Sequence, residues 1–234
     1  MNSVVANNTA AVPAPSVETV LTVDARSVMP TENSFWVRYA NHTEPTYLEE
    51  AGNGQKAQRD NGLKYVKKWR NALDIGANVG EWARPLAKVF NKVICFEPNP
   101  NFRQCFEKNI TEDNVVLHPY GLSSHSHNAE QGTNHTHLNY VVGDTNPRDG
   151  DIECRSLDSF ELTEVDYVKI DVDGFEIPLL EGAQQTLRTN NPIINIEMKR
   201  RKRPDTTKKA SDLLKRYGYQ LISRVRSDEI WQKP

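Results

Sequence analysis

LDIGANVG, at residues 73–80, joins a short apolar strand pattern to a glycine turn, and a helical pattern follows directly. Ala72 to Ile75 predicts the strand, and apolar residues recur at helical spacing from Trp82 onward. Glycine after a strand lets the backbone turn tightly and approach a ligand closely. The start of the following helix offers free backbone N–H groups to a polar or anionic ligand. This strand–turn–helix unit therefore predicts a ligand loop at one end of a sheet.

Strand and helix patterns alternate from this loop to the end of the chain. The apolar segments that predict strands are 72–75, 93–96, 114–117, 165–170, 192–198, 219–225 and 229–232. Helical spacing between most of them predicts an α/β fold with a mainly parallel sheet. The last two segments are too close for a crossover connection, so they predict a hairpin and an antiparallel last strand. Ligands bind such sheets beyond the carboxyl ends of the strands, where we expect the functional residues.

Composition and charge exclude several classes of protein. The chain has 234 residues, of which 37% are hydrophobic and 26% charged, which suffices for a substantial core beside a solvated surface. Lys and Arg total 29 against 31 Asp and Glu, and the net charge of −2 excludes a globally basic nucleic-acid binder. No apolar run approaches the ~18 residues of a membrane span. No Lys or Arg precedes Arg26 and the three cysteines form no CxxC pair, so we expect a cytoplasmic protein with reduced thiols.

Two carboxylates accompany the glycine turn. Asp74 lies just before the turn, where it can meet the positive amino group of an aminoacyl ligand. Glu97 closes the next strand, 21 residues after Gly76, where an acidic group can bind both hydroxyls of a ribose. The dinucleotide fingerprint GxGxxG is incomplete because Asn78 takes the place of the second glycine, and Asp74 would repel a pyrophosphate. The pattern therefore favours S-adenosylmethionine over NAD, with an ordinary strand–turn–helix unit as the alternative.

Six segments follow one another along the chain between about residues 60 and 225. They read LDIGANVGEWA, FEPNP, HPYGLSS, RSLDSF, VKIDVDGFEIPLLEGA and INIEMK. Together they resemble the FkbM family of S-adenosylmethionine-dependent methyltransferases. The resemblance implies a class I methyltransferase fold, Rossmann-like and doubly wound, whose mainly parallel seven-stranded sheet has an antiparallel last strand. We therefore expect an N-terminal tail and docking arm at 1–58 and a methyltransferase domain at 59–234.

The matched positions imply which residues would bind the cofactor. Those at its methionine end would be Asp74, Gly76, Ala77, Asn78 and Gly80. Glu97 would bind the ribose. The adenine would be bordered by Tyr120, Gly121 and Leu122. Asp171, which closes the fourth predicted strand, would face the transferred methyl group.

Three carboxylates near the end of that fourth strand are the candidate catalytic residues. We assign Asp171 first as base or substrate-orienting group, then Glu176, with Asp173 beside them. The alternative for Glu176 is a helix-start carboxylate favoured by the helix dipole. The family commonly has DVEG where this chain has DVDG at 171–174, so Asp173 is one methylene shorter. A Mg²⁺ site on Asp171 and Asp173 is not favoured because D-x-D pairs are common, so no metal ligand is assigned.

Four histidines lie in the polar stretch 123–151, which predicts an elaborated loop or a small hairpin. They form two H-x-H pairs, His125 with His127 and His135 with His137. Four imidazoles could meet around a metal ion if the stretch is a hairpin. The surrounding Ser, Asn, Gln, Gly and Thr residues favour a solvated loop instead.

A basic run follows the fifth predicted strand at residues 199–209. It contains Lys199, Arg200, Arg201, Lys202, Arg203, Lys208 and Lys209. The run leaves the sheet at a carboxyl end, so we expect it at the rim of the active cleft. A solvated loop and helix face is one interpretation. Capture of an acidic or phosphate-bearing substrate is the other.

The leading hypothesis is an S-adenosylmethionine-dependent O-methyltransferase that acts on a hydroxyl of a sugar or other small molecule. The first alternative is an NAD-type oxidoreductase on a similar sheet. The second is a non-catalytic nucleic-acid-binding module that uses the basic run at 199–209. The net charge of −2 argues against the second alternative, and neither nucleic acid nor a membrane is expected as a partner.

Overall fold

The computed structural model describes residues 35–37, 46–48, 55–132, 140–144 and 152–234. The strands are Phe35–Val37 (β1), Thr46–Leu48 (β2), Asn71–Ile75 (β3), Lys92–Phe96 (β4), Val115–His118 (β5), Gly121–Leu122 (β6), His127–Gly132 (β7), Tyr140–Asp144 (β8), Ile152–Arg155 (β9), Val165–Ile170 (β10), Ile193–Glu197 (β11), Gln220–Val225 (β12) and Asp228–Gln232 (β13). The α-helices are Lys56–Leu63 (α1), Ala83–Ala87 (α2), Pro100–Asn109 (α3), Glu176–Glu181 (α4), Gln184–Asn190 (α5) and Pro204–Arg216 (α6).

Seven strands form the central sheet in the order β12-β13-β11-β10-β3-β4-β5. The five neighbours from β11 to β5 are parallel, and β13 is antiparallel to both β11 and β12. This confirms the predicted doubly wound class I sheet and its antiparallel last strand. The strand order reverses between β3 and β10, so a ligand crevice is expected at the carboxyl ends of these two strands.

Helices cover both faces of this sheet. Leu73 and Ile75 belong to the core on one face and Ala72 to the core on the other, because successive strand side chains alternate. The helical residues on the first face include Leu180 of α4, Leu187 of α5 and Leu214 of α6. Those on the second face include Leu86 of α2 and Phe106 of α3. The central strands are buried from both sides, so most of their residues are apolar, with buried exceptions such as Asp74 and Lys169.

A second sheet of four strands, in the order β6-β9-β7-β8, lies between β5 and β10 in the chain. β7 pairs antiparallel with β8 and with β9, so the polar stretch forms more than the predicted loop or small hairpin. Gly182 lies in close contact with Ser123, the residue after β6. A Cβ on Gly182 would lie 1.9 Å from the carbonyl oxygen of Ser123. The helix predicted across 179–187 is accordingly divided at Gly182 into α4 and α5.

The glycine turn does not lead directly into a helix as predicted. Turns continue to Trp82, and α2 begins only at Ala83 and has five residues. Pro85 lies in the first turn of α2, where its missing N–H group is not needed. Trp82 and Phe90 are buried, as their spacing predicts. The backbone that follows β3 is therefore a run of turns up to Trp82 and not the start of a helix.

The predicted domain boundary at residue 58 falls inside α1. This helix packs on β11, β12 and β13 of the central sheet. A tail and docking arm at 1–58 stays a prediction, since most of that range lies outside the described residues.

Candidate active site

The glycine loop has a backbone that only a few residue types adopt. Gly76, Asn78 and Gly80 have positive φ angles of 77°, 49° and 94°. The N–H groups of Gly76 and Ala77 both donate to the carbonyl oxygen of Phe96, at 3.0 and 3.1 Å. A Cβ on Gly76 would lie 1.9 Å from the carbonyl oxygen of Asp171. The end of β3 is thus held against the ends of β4 and β10, where the predicted ligand crevice lies.

Glu97 contacts this loop directly from the end of β4. Its Oε2 accepts a hydrogen bond from the Asn78 N–H group at 2.9 Å, and its Oε1 accepts one from the Asn99 N–H group at 2.9 Å. Burial raises the pKa of Glu97 to about 7, although these two hydrogen bonds oppose the rise. The structure therefore brings together two predicted cofactor residues, Glu97 and Asn78, in one small site.

Asp74 lies beneath the loop and is fully buried. Its Oδ1 is 3.4 Å from Lys169 Nζ, which also donates a hydrogen bond to the Gly76 carbonyl oxygen at 2.9 Å. Burial raises the pKa of Asp74, and the positive charge of Lys169 opposes that rise. Asp74 thus supports the loop through Lys169, while its predicted contact with the cofactor's amino group stays a prediction.

An aromatic cluster adjoins the loop on the side predicted for the adenine. The His118 ring stacks on the Phe96 ring with their centroids 5.2 Å apart. The Arg155 guanidinium lies 3.9 Å from the centroid of the Tyr120 ring. Gly121 and Leu122 are buried in β6, so of the three predicted adenine residues only Tyr120 belongs to this cluster. Their roles toward the cofactor stay predictions.

Three carboxylates meet at the carboxyl ends of β10 and β11. Asp171, Asp173 and Glu197 each place an oxygen within 4.8 Å of the other two. Lys199 lies among them, with its Nζ 3.1 Å from Glu197 Oε2 and in an ion pair with Asp173. Burial and the negative charge of Asp171 raise the pKa of Glu197 to about 7. The protein therefore supplies its own cation to this carboxylate cluster.

Glu176 begins α4 and is turned toward its own loop. Its Oε1 accepts a hydrogen bond from the Gly174 N–H group at 2.9 Å. This is the geometry expected of a helix-start carboxylate, the alternative interpretation of this residue. Its Oε2 is buried without a hydrogen-bond partner in the described part of the chain. Of the three predicted catalytic residues, Asp171 and Asp173 are brought together, and Glu176 lies one turn away.

The family of the protein follows from a comparison with known domains. A family model described as the methyltransferase FkbM domain matches residues 74–221, which include the glycine loop, Glu97 and the carboxylate cluster. The chain belongs to the FkbM methyltransferase family. The matched range leaves out α1, which contains Arg59, and β13, which contains Asp228.

Two solved methyltransferase structures are similar to this chain at low sequence identity. The methyltransferase FkbM from Methylobacillus flagellatus KT is 20% identical with a TM-score of 0.50, and the alignment covers 69% of this chain and 43% of that chain. A precorrin-6y C5,15-methyltransferase from Geobacter metallireducens GS-15 is 16% identical with a TM-score of 0.48, over 84% and 91% of the two chains. No curated protein sequence matches. Among the described residues, no helix combines the length and apolar character needed to cross a membrane.

Two acidic residues of this FkbM protein were not among the predicted site residues. Glu197 ends a predicted strand, and that position was its only signal in the sequence. Asp228 is buried, and burial together with the charge of Asp171 raises its pKa to about 6. Ser227 joins the two, since its Oγ donates to Glu197 Oε1 at 3.0 Å. The residues around Asp228 in the sequence did not indicate a role in the site, because the antiparallel pairing of β13 with β11 brings Asp228 there.

Most of the basic run has partners within the protein. Arg200 pairs with the fully buried Glu229 at 2.5 Å, and Lys208 pairs with Asp212 at 2.7 Å. Arg203 Nη1 lies 3.8 Å from Asp173 Oδ1. The exposed residues of the run include Arg201, Lys202 and Lys209. The solvated interpretation and the substrate interpretation therefore both concern the exposed residues, whereas Lys199 and Arg200 have structural partners.

Two of the four histidines lie within the described residues. The His125 and His127 rings have centroids 4.7 Å apart, and His127 Nδ1 is 3.1 Å from the His125 carbonyl oxygen. His135 and His137 lie outside the described residues. A four-histidine metal site stays untested.

Proposed function

We propose that this FkbM protein uses S-adenosylmethionine to methylate a hydroxyl oxygen of a sugar or other small molecule. The contact of Glu97 with the glycine loop, at the switch in strand order, carries the proposal. Each carboxylate oxygen of Glu97 accepts one backbone N–H group and keeps a lone pair for a ribose hydroxyl. A nucleoside is the ligand class that this arrangement fits.

The residues around the loop also fit the amino-acid end of this cofactor. Asp74 is fully buried and already has the Lys169 ammonium group 3.4 Å from its Oδ1, and a ligand ammonium group would be a second positive partner for this carboxylate. Bound S-adenosylmethionine supplies a methyl group on a positively charged sulfur. An NAD-type cofactor fits less well, because its pyrophosphate would meet the negative charge of Asp74.

The carboxylate cluster supports a role in acceptor positioning and proton removal. Holding the acceptor in line can lower the barrier by about 7–11 kcal/mol. Asp171 is the first candidate to orient the hydroxyl. Glu197 joins it as a candidate base, since a pKa of about 7 suits proton transfer at neutral pH, and such a base typically contributes ~10²–10⁴-fold. Asp173 and Glu176 stay secondary candidates, because Asp173 faces two cations, Lys199 and Arg203, and Glu176 is turned toward its own loop.

The acceptor is proposed to be acidic or phosphate-bearing, on the strength of the exposed Arg201 and Lys202 at the rim. A divalent metal is not favoured, since Lys199 already pairs with Asp173 and Glu197. A nucleic-acid-binding module is not favoured either, because Arg200 is engaged with Glu229. A cytoplasmic location is part of the proposal, supported by three buried free thiols.

Calorimetry with S-adenosylhomocysteine, with NAD as the comparison ligand, tests the cofactor. We expect binding of S-adenosylhomocysteine alone, and a loss of at least about tenfold in affinity for Glu97→Ala. Glu107→Ala, on the exposed face of α3, is the matched control and should bind like the wild type. Binding of NAD alone would favour the oxidoreductase. A folded protein that binds neither ligand would exclude both enzyme hypotheses.

A further inference from the structure

Arg59 is a buried cation whose charge is poorly compensated. Its side chain is on the inner side of α1, and the residue is only 6% exposed. Its Nη1 has no hydrogen-bond partner in the described chain. Burial lowers the pKa of Arg59, and the charges of Asp60 and Glu81 offset this only in part. Burying a guanidinium group in this way is costly unless a ligand satisfies it.

The position of Arg59 connects it with the glycine loop. Its Cζ lies 5.8 Å from the centroid of the Trp82 ring. Lys169 Nζ lies 5.8 Å from the centroid of the same ring, and this ammonium group donates to the Gly76 carbonyl oxygen. One turn earlier in the chain, Gln55 accepts a hydrogen bond from Trp82 Nε1. The start of α1 is therefore docked on Trp82, beside the loop proposed to hold the cofactor.

We propose that Arg59 binds a carboxylate at this site, namely that of the cofactor's amino-acid end. A guanidinium group is a planar donor that matches a carboxylate with two hydrogen bonds. Asp74 places a buried negative charge near the same loop, where Lys169 already lies 3.4 Å from it, so Arg59 and Asp74 supply the two charges that complement an α-amino acid group. The inference rests on the proposed function. Arg59 lies outside the range matched by the family model.

A pair of ligands that differ only in the carboxylate isolates this contact. Calorimetry compares S-adenosylhomocysteine with its decarboxylated analogue on the wild type and on Arg59→Met. The wild type should prefer the carboxylated ligand by about 10-fold to 100-fold, the range of a charged hydrogen-bond pair. Arg59→Met should lose this preference while it keeps its affinity for the decarboxylated analogue. Arg59→Lys should keep part of the preference because it keeps the charge.

Arg70→Met is the matched control for the loss of an arginine. Arg70 pairs with Asp166 at 2.5 Å, away from the loop. Arg70→Met should lower the melting temperature and leave the ligand preference unchanged. Arg59→Met should lower the melting temperature of the ligand-free protein less than Arg70→Met does, because the lost contact with Trp82 is offset by the removal of a buried charge.

Three other results would overturn the inference in distinguishable ways. If Arg59→Met lost affinity equally for S-adenosylhomocysteine and for its decarboxylated analogue, Arg59 would only shape the site. Arg59→Met could instead leave the binding of both nucleosides unchanged and weaken the binding of an acidic acceptor relative to its neutral form. Arg59 would then bind a carboxylate of the acceptor and not that of the cofactor. A folded wild-type protein that binds neither nucleoside would refute the proposed function itself, and this inference with it.

Discussion

At the scale of single residues, we expect the buried carboxyl group of Glu97 to make cofactor affinity depend on pH. Burial raises its pKa to about 7, so the group is mostly protonated below that pH and mostly ionised above it. In the proposed complex the ionised form would accept hydrogen bonds from both ribose hydroxyls, whereas the protonated form would lose acceptor capacity. We expect the affinity for S-adenosylhomocysteine to rise as the pH rises through about 7 and then to level off.

Calorimetry between about pH 5.5 and about pH 8.5 measures this dependence. Glu197 and Asp228 also titrate near this range, at about 7 and about 6, so a control must isolate Glu97. Glu97→Gln should bind more weakly and show a much flatter pH profile. If Glu97→Gln had the same pH profile as the wild type, the pH dependence of the affinity would belong to the other carboxyl groups.

At the scale of elements, the loop after β3 depends on close backbone contact with the end of β10. Gly76 has a φ of 77°, and a Cβ there would lie 1.9 Å from the Asp171 carbonyl oxygen. Gly76→Ala must therefore separate the two strand ends. We expect a loss of about 2–4 kcal/mol in the free energy of unfolding, together with loss of nucleoside binding.

Gly218→Ala provides the control for backbone strain without a clash. Gly218 lies two residues after the end of α6 with a φ of 88°, and the nearest atom to its Cβ position is Lys233 Cε at 4.0 Å. This variant should lose only about 1–2 kcal/mol, the cost of a left-handed alanine, and should keep nucleoside binding. Urea unfolding of both variants checks the difference, and equal losses would show that the contact with Asp171 is not limiting.

At the scale of the whole molecule, the basic run divides into structural and exposed cations. Arg200 and Arg224 both contact the fully buried Glu229, at 2.5 and 2.8 Å. Reversal of charge at Arg200 would leave that carboxylate poorly compensated and lower stability, which would obscure any effect on substrate. Arg201 and Lys202 are exposed, so their charge can be reversed without such a loss.

The double variant Arg201→Glu/Lys202→Glu tests capture of an acidic acceptor. We expect an affinity for a sugar phosphate that falls on the order of tenfold at low salt, and a smaller difference at high salt. Binding of the corresponding neutral sugar and the melting temperature should not change. If the affinity of the double variant for the sugar phosphate were unchanged and did not depend on salt, Arg201 and Lys202 would form only a solvated face.

The amino-acid sequence by itself determined the strands of the central sheet, their alternation with helices and the glycine loop after β3. These features depend on residues that are adjacent or regularly spaced, such as the buried run of β3 and the glycines that permit positive φ angles. The cap of α3 is equally local, since Asn99 Oδ1 accepts from the Asn101 N–H group at 2.9 Å. Glu97 was predictable because consecutive parallel strands place their carboxyl ends side by side.

Only the tertiary structure decided which charges meet. Lys169 pairs with Asp74 across neighbouring strands, Glu229 meets Arg200 through the pairing of β13 with β11, and Arg59 reaches Trp82 because α1 docks on the sheet. The strength of each contact depends on distance and on the exclusion of water. Neither quantity follows from spacing along the chain, so the sequence indicated the acidic and basic residues but not their partners.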